Sequence, residues 1–90
     1  MLHVHTQQIT VTQPEGLHAR PAAQFVKLAN RFQSTVKVRH NGREANGKSI
    51  MAVMSLGASA GAEVELDVQG NDAEQACAEL TTFLGSGGVR

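Results

Sequence analysis

The sequence contains no tryptophan and no tyrosine, and three phenylalanines are its whole aromatic content. Proteins that hold single-stranded nucleic acid stack the bases on aromatic rings, and nucleic-acid binders usually carry an excess of basic side chains. Here eight lysines and arginines are balanced by eight aspartates and glutamates, so the formal charge is zero. Both absences argue against a nucleic-acid partner.

Cysteine is nearly absent too, and so are long apolar runs. The single Cys77 has no partner for an internal disulfide, and its place in the apolar stripe of a predicted helix indicates a small buried hydrophobe. The first residues, MLHVHTQQ, lack the basic and apolar blocks of a signal peptide. No run approaches the roughly 20 apolar residues that cross a bilayer. We therefore expect a cytoplasmic protein that meets membranes only through partners.

Metal ligands are sparse. His3, His5 and His40 invite comparison with a metal site, because residues two apart on a strand share a face. No cysteine, aspartate or glutamate is spaced to complete a ligand set with them. We expect neither a metal nor a cofactor.

The pattern of apolar residues predicts the fold. Apolar positions alternate in the predicted strands, and they recur every three or four residues in the predicted helices. The Asn41-Gly42 pair is typical of a tight hairpin. The predicted order is β-α-β-β-α-β-α, with strands at about 5–12, 34–40, 43–46 and 62–69 and helices beginning near Pro21, at Ser49 and at Asn71 or Asp72. The alternation indicates a sheet with one face in solvent and the other face covered. We therefore predict an α/β (α+β) open-faced sandwich, a four-stranded antiparallel sheet with three helices on one face.

A chain of 90 residues forms one small domain, which we place at residues 1–84. Such a domain buries roughly 60–70% of its unfolded surface and cannot enclose a large substrate cavity, so any chemistry should lie on its surface. The last six residues, GSGGVR at 85–90, predict a flexible glycine-rich tail.

The segment GLHARPAA at 16–23 places a histidine and an arginine where the first helix begins. Pro21 lacks an N–H and suits a first helical turn, where unpaired amides and the helix dipole attract anions. Arg20 adds a fork of donors that matches phosphate oxygens, and the imidazole of His18 is nucleophilic near neutral pH. The pattern fits a phosphohistidine site, and it equally fits a polar helix start beside a solvated surface charge.

GLHARPAA followed by QFV resembles the active-site segment of HPr, the phosphocarrier of the bacterial phosphoenolpyruvate-dependent sugar phosphotransferase system. The later segment NGREANGKSIMAVMSLGASAGAEVEL is similar to the second family segment, which holds the seryl phosphorylation site of HPr from Gram-positive bacteria. The likeness extends over almost the whole chain, and the predicted element order matches the HPr fold. The resemblance thus implies a single HPr-like domain at 1–84.

Residue by residue, the resemblance implies that His18 accepts a phosphoryl group on Nδ1 from phosphorylated enzyme I and that Arg20 supports it. It implies that a dedicated serine kinase modifies Ser49 in some lineages. The positions that it implies for docking enzyme I and the sugar-specific IIA domains are Ala23, Lys27, Ile50, Met51 and Met54. Asn30 departs from the pattern, because some family members have a basic residue there.

Ser49 also has a purely structural interpretation. A serine N-cap contributes about 1 kcal/mol to a helix and needs no other role. A phosphate on the same hydroxyl would add up to about two negative charges to the predicted docking surface and would block partners. Both interpretations stay open at this point.

The methionines of the second helix can be core or surface residues. A helix of about two turns ending at Gly57 buries one stripe, which Val53 and Leu56 can fill. Met51 and Met54, together with Ile50, are then at least partly exposed. Flexible methionine side chains on the outside suit a surface that binds several partners in turn.

We therefore interpret the chain as a monomeric phosphocarrier that takes a phosphoryl group from enzyme I on His18 and passes it to sugar-specific IIA domains. It is a transfer partner more than a complete enzyme, because it has no pocket for a small substrate. The alternative is a regulatory binding module controlled through Ser49, which would need neither His18 nor Arg20. The sequence fits a free-standing protein, a nitrogen-related branch and a domain of a fused multiphosphoryl transfer protein equally.

Overall fold

The computed structural model describes residues 3–85. The elements follow in the order β1 (Val4–Thr10), α1 (Ala19–Ala29), β2 (Thr35–His40), β3 (Arg43–Asn46), α2 (Ile50–Ser55), β4 (Glu63–Gln69) and α3 (Ala73–Leu84). This is the predicted order, and each element overlaps its predicted segment. Apart from Gly85, the predicted tail lies outside the described residues.

The strands form one antiparallel sheet in the order β1-β4-β2-β3, so β4, the last strand in sequence, lies between β1 and β2. The inward residues of β4 are Val64, Leu66 and Val68, all buried. The register sets Leu66 opposite Val38 and Val68 opposite Val36, which continues the apolar layer across the sheet. The helices cover this layer and leave the other sheet face open. The predicted open-faced sandwich is confirmed.

A two-residue turn joins β2 to β3, as the Asn41-Gly42 pair predicts. Asn41 has φ 52° and Gly42 has φ 78°, and a type I′ turn needs positive φ at both central residues. His40 and Arg43 are the last paired residues before the turn. The hairpin is therefore specified locally, by the two residue types that tolerate this backbone.

β1 ends at Thr10, two residues before the predicted end at 12. Beyond it, the N–H of Val11 donates to the carbonyl of Ala62 at 2.8 Å, and the N–H of Thr12 donates to the carbonyl of Leu84 at 3.0 Å. The chain thus leaves the ladder with β4 and is held by a loop and by the end of α3. Alternation alone does not reveal this exit, because the apolar pattern continues through it.

α1 begins at Ala19, two residues before Pro21. Pro21 lies in the first helical turn, where an amide has no acceptor within the helix, so its missing N–H removes no helical bond. The buried residues of α1 are Pro21, Ala22, Phe25, Val26 and Ala29, and those of α3 are Ala73, Ala76, Cys77, Leu80 and Leu84. Cys77 is buried in the stripe of α3, as expected for a small hydrophobe.

Candidate functional site

The loop that carries His18 is built around Gly16. The N–H of Gly16 donates to the carbonyl of Gln13 at 2.9 Å and closes a tight turn, with φ +68° at the glycine. A Cβ at this position would lie 2.5 Å from the carbonyl oxygen of Ala58. The next amide, that of Leu17, donates to the same oxygen at 2.8 Å. Glycine is thus required twice here, for its backbone conformation and for the close approach to the chain that follows α2.

His18 is exposed and immediately precedes α1, with an extended backbone (φ −117°, ψ 152°) and no capping bond from its side chain. Ala19 follows with φ +30°, a conformation that costs of order 1–3 kcal/mol for a residue with a side chain. The chain therefore turns sharply between His18 and Arg20. Strain of this kind persists only where the surrounding structure holds it, and it concentrates at functional sites.

The first amides of α1 are available to an anion. Helix geometry leaves the N–H groups of Ala19 and Arg20 without acceptors in the helix, and Pro21 has no N–H. In the described part of the chain, the imidazole of His18 and the guanidinium of Arg20 make no hydrogen bond or ion pair. The structure thus brings together a nucleophile, a permanent cation and unpaired donors at one exposed helix start. This arrangement is able to hold a phosphoryl group on a histidine.

Ser49 caps the short helix α2. Its Oγ accepts the N–H of Ala52 at 3.3 Å, which is the structural role that the sequence predicts. At the other end of the helix, the guanidinium of Arg43 on β3 donates to the carbonyl of Ser55 at 3.1 Å. Both ends of α2 are therefore fixed, and its outer side is presented as a defined surface.

The apolar residues of α2 divide between core and surface. Val53 and Leu56 are buried, as predicted. Ile50 is 43% exposed and Met51 is 81% exposed, and Met54 is half-buried. The expectation that these three side chains are at least partly exposed is confirmed. We name Ile50, Met51 and Met54 the apolar patch.

α1 packs against α2, and neither helix contains an acidic residue, so the cations of α1 lie on the helix neighbouring the apolar patch. Arg20 and Lys27 are exposed and lie seven residues apart, on the same side of a helix with 3.6 residues per turn. Half-buried Ala23 lies between them in α1, and exposed Arg31 follows in the turn after the helix. Within residues 3–85, none of these three cations forms an ion pair.

The acidic side chains lie on the loop before His18, on the strands and at or on α3. They are Glu15, Glu44, Glu63, Glu65, Asp67, Asp72, Glu74 and Glu79. A formal charge of zero therefore conceals a segregated surface, with unpaired cations beside the apolar patch. A count of charges cannot reveal this distribution, and Arg31 was missed for that reason.

The two cations of β2, by contrast, are paired. Arg39 donates to Glu44 at 3.0 Å, to Glu65 at 3.4 Å and to Asp67 at 3.0 Å, and Lys37 lies 3.7 Å from Glu44. The hydrogen bond to Asp67 is the main cause of the raised pKa of Arg39. These charges stabilise one another on the open face of the sheet and are less available to a partner.

A cleft of about 290 Å³ opens beside His18. Its walls are Glu15, Leu17, His18, Gly57, Ala58 and Ser59. Glu15 and His18 are the ionisable groups among them, so the cleft brings an acid to the candidate nucleophile. Glu15 was not singled out from the sequence, because it lies in a turn without apolar periodicity. Its position three residues before His18 was the one available signal.

The remaining histidines lie elsewhere. His40 has its Nδ1 3.0 Å from the backbone carbonyl of Glu63, at the hairpin end of the sheet. Among residues 3–85, no group of three or more His, Cys, Asp or Glu side chains is placed to hold a metal ion. No helix in the same part of the chain is long and apolar enough to cross a membrane.

Comparison with known proteins relates this chain to a described family. Residues 5–86 match the family described as "PTS HPr component phosphorylation site". The chain is 47% identical over 79 residues to the phosphocarrier protein HPr of Lysinibacillus sphaericus, a match that covers 88% of this chain and 90% of that protein. It is 46% identical over 78 residues to the HPr-like protein Crh of Bacillus subtilis, covering 87% of this chain and 92% of that protein.

Solved structures agree with the sequence relatives. The crystal structure of a phosphocarrier protein HPr from Bacillus anthracis superposes with a TM-score of 0.88 at 37% identity. The superposition covers 90% of this chain and 96% of that chain. The same architecture therefore accompanies the sequence similarity over nearly the full length of both chains.

Proposed function

This chain belongs to the HPr phosphocarrier family of the phosphotransferase system, and on that basis we propose that it carries phosphoryl groups on His18. It accepts the group from phosphorylated enzyme I and passes it to sugar-specific IIA domains. The observation that carries the proposal is the exposed, unengaged imidazole of His18 beside Arg20, at a helix start with unpaired donors.

Transfer needs little from the protein beyond position and charge. The lone pair of a ring nitrogen of His18 attacks phosphorus, while the bond to the donor group of enzyme I breaks and its electron pair stays with the donor. The guanidinium of Arg20 and the first amides of α1 offset the charge on the phosphoryl oxygens. The second half-reaction reverses these roles on a IIA domain. The chain is thus a transfer partner, and each reaction is completed inside a protein complex.

The surface around His18 suits a partner with an apolar centre and an acidic rim. The apolar patch supplies the centre, and Arg20 and Lys27 supply the facing cations. Complementary charge raises the rate of encounter and rejects wrong partners. Ala23 lies between the two cations on α1, and its small side chain lets a partner surface approach the helix closely. We propose that enzyme I and the IIA domains use this one surface in turn, and that the chain acts as a monomer in the cytoplasm.

Ser49 is proposed as a regulatory position on the same surface. Its hydroxyl caps α2 directly beside Ile50 and Met51. A phosphate placed there by a serine kinase would require partners to bury a charged group next to apolar side chains, which is costly. Phosphorylation would then inhibit docking without unfolding the protein.

A regulatory binding module is the second candidate. It is favoured by the similarity to Crh, which is described as the catabolite repression HPr of Bacillus subtilis and is 46% identical to this chain. Such a module would use Ser49 and the apolar patch and would not need a nucleophile. The presence of His18 and Arg20 at the helix start favours the carrier.

Intact mass spectrometry after incubation with phosphoenolpyruvate and enzyme I tests the proposal. We expect a gain of one phosphoryl group that is lost in acid, and we expect His18→Ala to abolish it while His3→Ala keeps it. Arg20→Lys should slow transfer without stopping it, because the charge stays and the two-pronged geometry is lost. Labelling of the His18→Ala variant at the parent's level would refute the assignment, and an unlabelled parent would leave the regulatory module as the better interpretation.

A further inference from the structure

The cleft beside His18 is bordered by an acidic residue, Glu15, that has no role in the carrier reaction as described above. Glu15 and His18 both line this space of about 290 Å³, and Ser59 and the backbone of Gly57 and Ala58 close it on the other side. The turn that carries Glu15 is held in place, because the N–H of Gly16 bonds to Gln13 and its Cα approaches Ala58 too closely for a side chain. The backbone that carries Glu15 is therefore fixed beside the histidine.

The sign of this charge matters once His18 is phosphorylated. A phosphoryl group brings up to about two negative charges. A cleft of about 290 Å³ is about as wide as the screening length at physiological salt, about 8 Å, so charges on its border are only partly screened and the carboxylate and the phosphoryl group repel each other. Arg20 and the first amides of α1 attract the same group from the side of the helix. Glu15 is the opposing charge in the cleft.

We propose that Glu15 sets the phosphoryl-transfer potential of the carrier: its carboxylate destabilises phospho-His18 relative to free His18 and so favours passing the group on. The inference rests on the proposed function and adds to it an acidic residue of the cleft beside His18. The step itself is balanced. The bond from phosphorus to the ring nitrogen of His18 breaks as the bond to the acceptor nitrogen forms, and no proton or electron is consumed.

The equilibrium constant for phosphoryl exchange with enzyme I measures this effect. It depends only on the free proteins in their two states, so a changed affinity between partners alters the rates and leaves the constant unchanged. We would compare the parent with Glu15→Gln and Glu15→Lys by intact mass at low and at high salt. Glu63→Gln on the open sheet face is the matched control, since Glu63 is exposed and borders neither His18 nor α1.

We expect the constant for phosphorylating the chain to rise about threefold in Glu15→Gln at low salt and further in Glu15→Lys, an effect the size of one exposed charge pair. At ~1 M salt, where the screening length is about 3 Å, the equilibrium constants of both variants should approach that of the parent. A purely structural role for Glu15 would not make the equilibrium constant rise in the order parent, Glu15→Gln, Glu15→Lys. If the parent is phosphorylated and all four proteins share one constant, the inference is wrong while the carrier function stands. An unphosphorylated parent would refute both.

Discussion

Asp72 and Ser34 are joined twice across 38 positions of sequence, because one carboxylate oxygen of Asp72 accepts both the backbone N–H and the hydroxyl of Ser34. The other carboxylate oxygen accepts the N–H of Gln33 at 2.9 Å. Asp72 therefore precedes α3 without capping it through its side chain, and instead ties the start of α3 to the loop before β2. The hydrogen bond from Ser34 is the main cause of the lowered pKa of Asp72, and the bond from Gln33 is the next.

This contact predicts a stability that depends on pH. Because the pKa of Asp72 is lower in the folded state, the stabilisation is complete above the unfolded pKa of about 3.8 and disappears as the pH falls through the folded pKa. Asp72→Asn should melt below the parent at pH 7, and the gap between their melting temperatures should close below pH 4. Glu74→Gln, an exposed acid in the first turn of α3, is the control. A gap that is constant with pH would contradict the argument.

The role of Asp72 also shows how far the sequence could predict the structure. Asp72 was a predicted helix start, and α3 begins directly after it. The hairpin at Asn41-Gly42 was equally clear, since both features depend on neighbours in sequence. The partners of the Asp72 side chain lie far away in the chain, and apolar periodicity carries no information about them.

The candidate site likewise contains residues that local sequence reveals and contacts that only the folded chain creates. His18, Arg20 and Ser49 stand out through helix-start chemistry and through resemblance to a family. The cleft that joins Glu15 to His18 arises from tertiary contact between the loop before α1 and the chain after α2, at Ala58. Charge segregation likewise depends on which helices pack together, and a formal charge of zero hides it.

Gly16 provides a test of the loop that carries His18. Gly16→Ala would adopt φ +68° with a Cβ 2.5 Å from the carbonyl oxygen of Ala58, so the loop must move. We expect a loss of about 2–4 kcal/mol in the free energy of unfolding, together with slower phosphoryl transfer. Gly57→Ala is a matched control, because Gly57 has φ +67° and a Cβ added there would meet no atom within 4 Å.

The control separates backbone conformation from contact. Gly57→Ala carries the cost of the left-handed conformation alone, roughly 1 kcal/mol, and leaves the loop before α1 in place. Urea unfolding of both variants measures the difference in stability, and a transfer assay that compares Gly16→Ala with the parent measures the effect on the loop of His18. Equal losses of stability in the two variants would mean that the approach of Gly16 to Ala58 does not constrain the loop.

Lys27 tests the unpaired cations beside the apolar patch. Lys27→Gln should reduce the association rate with enzyme I about two- to threefold at low salt, because one facing charge is removed from the encounter. The effect should vanish at high salt. Lys37→Gln removes the same charge from the open sheet face, where Lys37 pairs with Glu44, and should leave the rate unchanged. Stopped-flow measurements over a salt series give the association rates. If both variants associate equally slowly, the effect of charge is nonspecific and the position of Lys27 does not matter.

Ser49 tests whether the helix that it caps belongs to the docking surface. Ser49→Asp keeps a good N-cap, so the melting temperature should change little, yet its carboxylate would lie beside Ile50 and Met51, where docking must strip water from it. Phosphoryl transfer from enzyme I should therefore slow. Ser49→Ala is the reverse control, since it loses the cap at a cost of about 1 kcal/mol and adds no charge.

The two variants should then separate the effect of losing the helix cap from the effect of adding a charge. The Ala variant should melt earlier and transfer at the parent's rate, whereas the Asp variant should melt with the parent and transfer slowly. Phosphoserine at Ser49, with more charge than aspartate, should inhibit more strongly still. Transfer by the Asp variant at the parent's rate would remove Ser49 from the docking surface. Slow transfer by both variants, with both melting earlier than the parent, would instead show that α2 must be intact for docking, because the loss would then follow stability and not charge.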